Sequence, residues 1–414
     1  MRLHRDSSAA LPGLNSVVSM KILVSSGPSF GLYFPVVPLA WALRAAGHEV
    51  LVASPESMAA TVNGSGLPHV ATYGPMHMRE VMLHDRAGNQ LAQADTEEGL
   101  LEQVGRGFGR LAARTIDGML AITEAWRPDA IIGEAHAFSA GVAAKLHGIP
   151  WFENGIGIGY RSDIDGWTAV ELAPELERLG FDALPEPDMV LDTCPALIRP
   201  KDVPKNVTAG QPMRCVQYDT PAPVPSWVFE KRDRPRIMIT LGTILPNSPA
   251  GPAIFDELVR TLPSLGVELV LAMPDEAVAK LAPLPDAVVA AGWMPLTSVL
   301  PACDLTVHHA GGGSTMSSLI AGLPQLLAPG VMAEQRDSAQ RLCEFGAARQ
   351  LQSQEVEPAE VLEACRALLE DASYRDRASQ LKQAIEEMPS PGAVVPVIED
   401  FVRHSAVGAA EGTE

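Results

Sequence analysis

The sequence predicts an α/β protein of two doubly wound, mostly parallel sheets, one in each half of the chain. Three features carry this. Short apolar runs alternate with helical patterns, and the alternation restarts after a proline-rich break. The 414 residues also exceed one ordinary core and suit two domains of about 200 each. Hydrophobic residues make up 47% of the chain and aromatic residues 5%, which favours helices layered on sheets over a β-sandwich.

Residues 21–26 (KILVSS) read as a buried strand that enters a Gly27-Pro28 loop. A helix over 38–46, stopped by Gly47, and a strand over 49–53 complete a βαβ unit. Strands at 128–133 and 150–153 bracket a helix at 138–146. The segment 200–225, with PAPVP at 221–225, cannot lie in a helix or central strand. The boundary falls there, giving a first domain over 20–215, a linker over 216–232 and a second domain over 233–393. The second half repeats the pattern with strands at 236–241, 267–272, 305–308 and 325–328 and helices at 253–262 and 374–388. A last helix over 394–404 is expected to pack back toward the first domain, and residues 1–19 and 405–414 read as disordered ends.

Fifty acidic residues oppose 31 Lys and Arg, a formal charge of −19. Such a field repels nucleic acid and anionic membranes, although backbone dipoles at a helix start still hold small anions. The five cysteines (Cys194, Cys215, Cys303, Cys343, Cys365) are odd in number and lack metal-ligand spacing. No disulfide framework or zinc site is expected, and a cytoplasmic location fits. Pro12, Gly13 and Asn15 break the apolar stretch near the start, and no run reaches the roughly 18 apolar residues of a membrane span.

The clearest site is the strand 305–308 running into His309-Ala310-Gly311-Gly312-Gly313-Ser314-Thr315 and then an apolar helical segment. A glycine-rich turn that opens a helix offers unpaired N–H groups and the positive end of the helix dipole. His309 can donate to a phosphate oxygen, and Ser314 and Thr315 add hydroxyls, so a leaving diphosphate can be stabilised without a metal. A tight turn around a core histidine is the plainer alternative. A dinucleotide site is disfavoured because the spacing of G-x-G-x-x-G is absent, with no acidic residue at a strand end about twenty residues on. His308, on the strand itself, reads as structural.

The ordered run GWMPL at 292–296, CDL at 303–305, HHAGGGST at 308–315, AGLPQ at 321–325 and Glu334-Gln335 resembles the donor-binding signature of family 1 glycosyltransferases with the GT-B fold. The resemblance extends from Met20 to about His404 and is strongest to actinomycete enzymes that glycosylate antibiotic polyketides. It implies a TDP-deoxysugar donor, an aglycone acceptor, no cofactor and no metal. It places Trp293 and the Met294 backbone on the nucleobase, His309 with Gly311, Gly312, Gly313, Ser314 and Thr315 on the diphosphate, and Glu334 and Gln335 on sugar hydroxyls. Relatives carry Asp where this chain has Glu334, so the reach differs. Thr240, Gly242 and Thr243 match a loop that closes over the phosphates. The plainer alternatives are core packing for Trp293 and a solvated helix start for Glu334-Gln335. A homodimer is compatible with the sequence, and stable membrane association is not expected.

On the acceptor side, the resemblance places Ser29, Phe30, Leu32 and Tyr33 in the loop after the first strand, where relatives carry a Gly-His-x-Phe-Pro pattern. This chain reads Gly31-Leu32-Tyr33-Phe34-Pro35, so Leu32 stands at the position of the usual base. Glu134 matches the carboxylate that orients the relatives' histidine. In an apolar cleft, desolvation would strengthen it as a base, so Glu134 is the first catalytic candidate and His136 the second. Asp85, beside Arg86, reads as a solvated salt-bridging residue. Angucycline C-glycosyltransferases share the loss of the histidine, which keeps C- and O-glycosylation both open. A catalytically weak sugar-nucleotide binder and an epimerase acting on the donor are the alternatives from other classes.

Overall fold

A computed structural model describes residues 19–411 apart from 93, 95, 160–163, 201–209, 241, 243–250, 282, 331–332 and 352–356. Among the described residues the first sheet comprises β1 (Lys21–Ser25), β2 (Glu49–Ser54), β3 (His69–Ala71), β4 (Ala130–Glu134), β5 (Trp151–Asn154), β6 (Met189–Asp192) and β7 (Gln211–Pro212). The second comprises β8 (Arg236–Thr240), β9 (Glu268–Ala272), β10 (Val288–Gly292), β11 (Leu305–His308), β12 (Gln325–Leu327) and β13 (Ala348–Gln350). Every pairing within them is parallel, in the orders β3-β2-β1-β4-β5-β6-β7 and β10-β9-β8-β11-β12-β13.

The alternation of side chains along each strand feeds two cores per sheet. Ile22 and Val24 pack on one face with Val52, Ile132 and Phe152, while Leu23 joins Ala53, Ile131 and Trp151 on the other. In the second sheet Ile237 and Ile239 lie with Leu269, Leu305 and Val307, and Met238 with Val270 on the opposite side. Burial on both faces explains why these strands are continuous apolar runs.

The ends of the expected strands fall within one or two residues of the sequence pattern, and the helix Phe138–Leu146 coincides with it, while β3, β6, β7, β10 and β13 were not expected. A 30-residue helix, Glu97–Trp126, escapes that pattern. It carries Gly105, Gly107, Gly109 and Gly118, which weaken a helical signature. Neighbours demand those glycines: a Cβ would lie 2.6 Å from Trp167 Cβ at Gly105 and 2.6 Å from Glu171 Cβ at Gly109. The last helix also differs from expectation. It begins at Pro391, three residues before the predicted start, and runs to Glu411, through residues expected to be a disordered tail. Proline is at home in the first turn of a helix, where its missing N–H has no partner to lose, and Ser390 Oγ accepts the Ala393 N–H at 3.2 Å. The helix lies on the first sheet's core through Val394, Val395, Ile398 and Val402, with Glu399 Oε1 3.0 Å from His48 Nε2.

Strand order reverses between β1 and β4 and again between β8 and β11. Carboxyl-terminal crevices at such reversals are where open α/β sheets bind ligands. The two halves touch there. Apolar residues of one, Ile158, Cys194 and Ile198, share a cluster with Ala310, Met316 and Leu319 of the other.

Candidate active site

At the second reversal β11 ends on His308 and the chain turns through Ala310 into the helix Gly312–Ala321. The turn is built by His308. This residue is fully buried, and its Nδ1 accepts the Ala310 N–H at 3.2 Å. Its Nε2 is therefore the protonated nitrogen and donates to Gln325 Oε1 at 2.8 Å. Ala310 is held at φ 60, a left-handed conformation that L-residues avoid. Burial pushes His308 down to about 3, so it stays neutral. Its structural reading fits this geometry.

His309 consequently faces β8. Its ring lies between two glycines: a Cβ at Gly242 would stand 2.7 Å from Cε1, and one at Gly311 would overlap Nε2. Gly242 has φ 69, and its N–H donates to Thr240 Oγ1 at 3.3 Å. Burial pushes His309 down to about 4, with the Thr240 carbonyl pulling weakly the other way. A neutral imidazole here offers an N–H donor. Gly311 caps the helix without a side-chain hydrogen bond, and by helix geometry the N–H groups of Gly312, Gly313 and Ser314 lack intrahelical partners. Among the described residues His309 Nδ1 and the buried Thr315 Oγ1 also make no hydrogen bond. A Cβ at Gly313 would meet open space. These donors suit an anion at the helix start. Thr243 lies outside the described residues.

Trp293 stands at the rim, 39% exposed, so it is not a core residue. Its backbone N–H donates to Asp275 Oδ1 at 3.0 Å, and Gly292, at φ 138, leaves room for that carboxylate. Asp275 was not legible as a site residue in the sequence. Phe30 of the first half meets the Trp293 ring edge-on at 5.6 Å and stacks on Phe34 at 5.1 Å. The Met294 side chain packs inward with Met238 and Val299. Gln335 Oε1 accepts the Gly330 N–H at 3.2 Å, and Glu334 lies in the first turn of the helix Ala333–Phe345.

The loop after β5, Gly155-Ile156-Gly157-Ile158-Gly159, reaches across to this side. A Cβ at Gly312 would lie 2.8 Å from the Ile156 carbonyl, and one at Gly157 would lie 3.2 Å from Gly312 Cα. Arg341, from the helix under Glu334, donates to the Ile158 carbonyl at 2.7 Å and the Ile198 carbonyl at 2.8 Å. The G-x-G-x-G run signals this contact in the sequence; Arg341 has no such signal.

At the first reversal Glu134, the last residue of β4, is fully buried. Its Oε1 accepts the Gly27 N–H at 3.3 Å and its Oε2 the His136 N–H at 2.6 Å. The carboxylate thus ties the loop after β1 to the loop after β4. The His136 ring packs 4.3 Å from Phe108. Leu32 lies on the short helix Phe30–Tyr33 and joins an apolar wall with Met76, Val81, Phe108, Leu111 and Phe138. Its Cδ1 would be 2.7 Å from a Cβ at Gly27, and Glu134 Oε1 would be 3.7 Å from the same point. Leu32 and Glu134 therefore flank one small space. Ser29 and Phe30 open this helix, but Tyr33 turns into the core: it is fully buried, its hydroxyl is 2.6 Å from Ser65 Oγ, and burial pushes it up to about 12. Asp85 shapes a turn by accepting N–H groups from Ala87 and Asn89, while Arg86 pairs with Glu171 and Glu175. The salt bridge expected of Asp85 thus belongs to its neighbour.

Among the described residues no group of three His, Cys, Asp or Glu could hold a metal ion, and no helix is long and apolar enough to cross a membrane. Models of the erythromycin biosynthesis protein CIII-like family match residues 41–242 with the N-terminal domain and 256–401 with the C-terminal domain. The chain is 35% identical over 382 residues to the L-demethylnoviosyl transferase of Streptomyces niveus, covering 91% of this chain and 96% of that one. It is 30% identical over 424 residues to the 3-alpha-mycarosylerythronolide B desosaminyl transferase of Saccharopolyspora erythraea, covering 92% and 98%. The solved glycosyltransferase SsfS6 of Streptomyces sp. SF2575, complexed with thymidine diphosphate, superposes with a TM-score of 0.80 at 40% identity, covering 92% and 99%. The two parallel-sheet domains are the GT-B fold of such enzymes.

Proposed function

The chain belongs to the erythromycin biosynthesis protein CIII-like family of glycosyltransferases, and from that membership we propose that it moves a deoxysugar from a TDP-sugar, with inversion, to a phenolic aglycone of the aromatic polyketide type, forming a C-glycoside. The observation that carries this reading is the pairing of the two reversal sites. On one side a helix start holds His309 beside N–H groups that lack intrahelical partners; on the other the buried Glu134 carboxylate, bound by the Gly27 and His136 N–H groups, lies beside Leu32. The thymidine diphosphate in the SsfS6 complex and the sugar transfers named for the two relatives support the donor class.

In this reading the sugar lies between the two sites, with Glu334 and Gln335 at its hydroxyls and Trp293 on the thymine. The acceptor enters along the apolar wall of Leu32, Phe108 and Phe138. Glu134 takes the phenol proton, and the electron-rich ring carbon attacks the anomeric carbon as its bond to the diphosphate oxygen breaks. His309 and the helix N-terminus take up the charge that develops on the leaving diphosphate. In the dienone so formed the oxygen recovers its proton from Glu134 while the ring carbon gives its own to the released diphosphate, and aromaticity returns. A phenol ionises far more readily than an aliphatic alcohol, which suits a site with leucine where relatives carry an imidazole.

The test is turnover of TDP-sugars with phenolic polyketide aglycones, followed by acid treatment of the product. A sugar that survives conditions cleaving ordinary glycosides supports the C-glycoside; release under those conditions assigns O-glycosylation. Consumption of the donor without an acceptor, with an isomerised sugar as product, would favour the epimerase.

A further inference from the structure

Glu334 and Gly159 sit on opposite halves of the molecule and fit each other closely. A Cβ at Gly159 would overlap Glu334 Cγ and Oε1 and stand 2.6 Å from Cδ. The loop that carries Gly159 is not free to retreat. Thr193 Oγ1 donates to the Gly157 carbonyl at 2.7 Å, and the Arg341 guanidinium holds the Ile158 carbonyl. Ile158 is itself 2% exposed within the apolar cluster between the halves, and Gly157 is pressed on the backbone of Gly312. The space above Gly159 is therefore fixed by several independent contacts, and it holds the glutamate side chain.

We infer that Gly159 is a positioning residue for the donor sugar: its missing side chain makes room for the Glu334 side chain and so sets where that carboxylate meets the sugar. The inference rests on the proposed contact between Glu334 and sugar hydroxyls. Any side chain at residue 159 drives the carboxylate to another rotamer, away from the sugar. The diphosphate and thymine contacts, made by His309 and Trp293, stay as they are.

The experiment compares dissociation constants of TDP-glucose and TDP for the full chain by titration calorimetry, expressed as their ratio. Gly159→Ala is expected to raise the ratio about tenfold, as the loss of a hydrogen bond to a charged group does, with TDP affinity within twofold of wild type. Gly159→Ala combined with Glu334→Ala should give the ratio of Glu334→Ala alone to within threefold, because a methyl group at residue 159 disturbs the sugar contact only through the acid it displaces. Glu334→Ala separates the two readings. If it leaves the ratio unchanged, the sugar contact itself falls. If it raises the ratio while Gly159→Ala does not, the positioning role falls alone. A further rise in the double variant beyond Glu334→Ala alone, or equal weakening of TDP by Gly159→Ala, also overturns the inference, since the loop would then act independently of the acid.

Discussion

Replacing Glu134 by Gln tests the acceptor half most directly, because the substitution keeps shape and removes charge. Both oxygens of Glu134 accept backbone N–H groups, from Gly27 and His136. A glutamine offers one oxygen, and its NH2 must face one of those N–H donors. At least one charge-assisted hydrogen bond is lost, worth about 1.5–3 kcal/mol, and a donor is left opposed to a donor. We expect urea denaturation to report a destabilisation of about 2–4 kcal/mol. The proton acceptor disappears as well, so kcat should fall by about 10²–10⁴-fold, the usual contribution of general base catalysis. TDP affinity should stay within twofold, since His309 and the helix Gly312–Ala321 belong to the other sheet. Turnover within threefold of wild type would refute the base assignment, whatever the stability. An unchanged urea midpoint would refute the two-amide geometry, and a parallel loss of TDP binding would mean that the variant is misfolded rather than chemically impaired.

Acid should destabilise the fold through the two histidines of the donor turn. Their folded values of about 3 and about 4 lie below the ordinary 6.5, so between pH 6.5 and 4 the unfolded chain binds protons that the folded chain refuses. Stability is flat above that window and falls as pH drops through it, by up to about 1.4 kcal/mol per pH unit for each histidine; urea curves at pH 7, 6 and 5 measure the slope, and His309→Gln should flatten it by one proton. Ala310→Gly should be close to neutral in stability, because relief of the left-handed backbone offsets the lost buried methyl. Ala310→Val should cost about 2 kcal/mol or more and weaken TDP binding, since a branched side chain fits φ 60 poorly; an Ala310→Val variant as stable as wild type would disprove the strain. Trp293→Ala should weaken TDP about tenfold, and a double-mutant cycle of stability with Phe30→Ala should show coupling of about 0.5–1.5 kcal/mol for their edge-on contact; strict additivity would mean that the contact contributes nothing.

Sequence alone determined the two parallel-sheet halves, because strands buried on both faces must be continuous apolar runs, and it located the glycine turn at the start of the helix Gly312–Ala321, because glycines before a helix leave its N–H groups open. Tertiary structure decided how side chains a few residues apart divide their tasks. His308 and His309 are adjacent, yet one shapes the turn through Gln325 while the other lies between Gly242 and Gly311. Leu32 and Tyr33 are likewise adjacent, yet one joins the apolar cluster with Phe108 and Phe138 and the other fills the core of the first sheet. The fit of Gly159 against Glu334 joins residues far apart in the chain and has no periodicity to announce it. The long glycine-bearing helix Glu97–Trp126 was illegible for the same reason: its glycines answer to neighbours that only folding brings close.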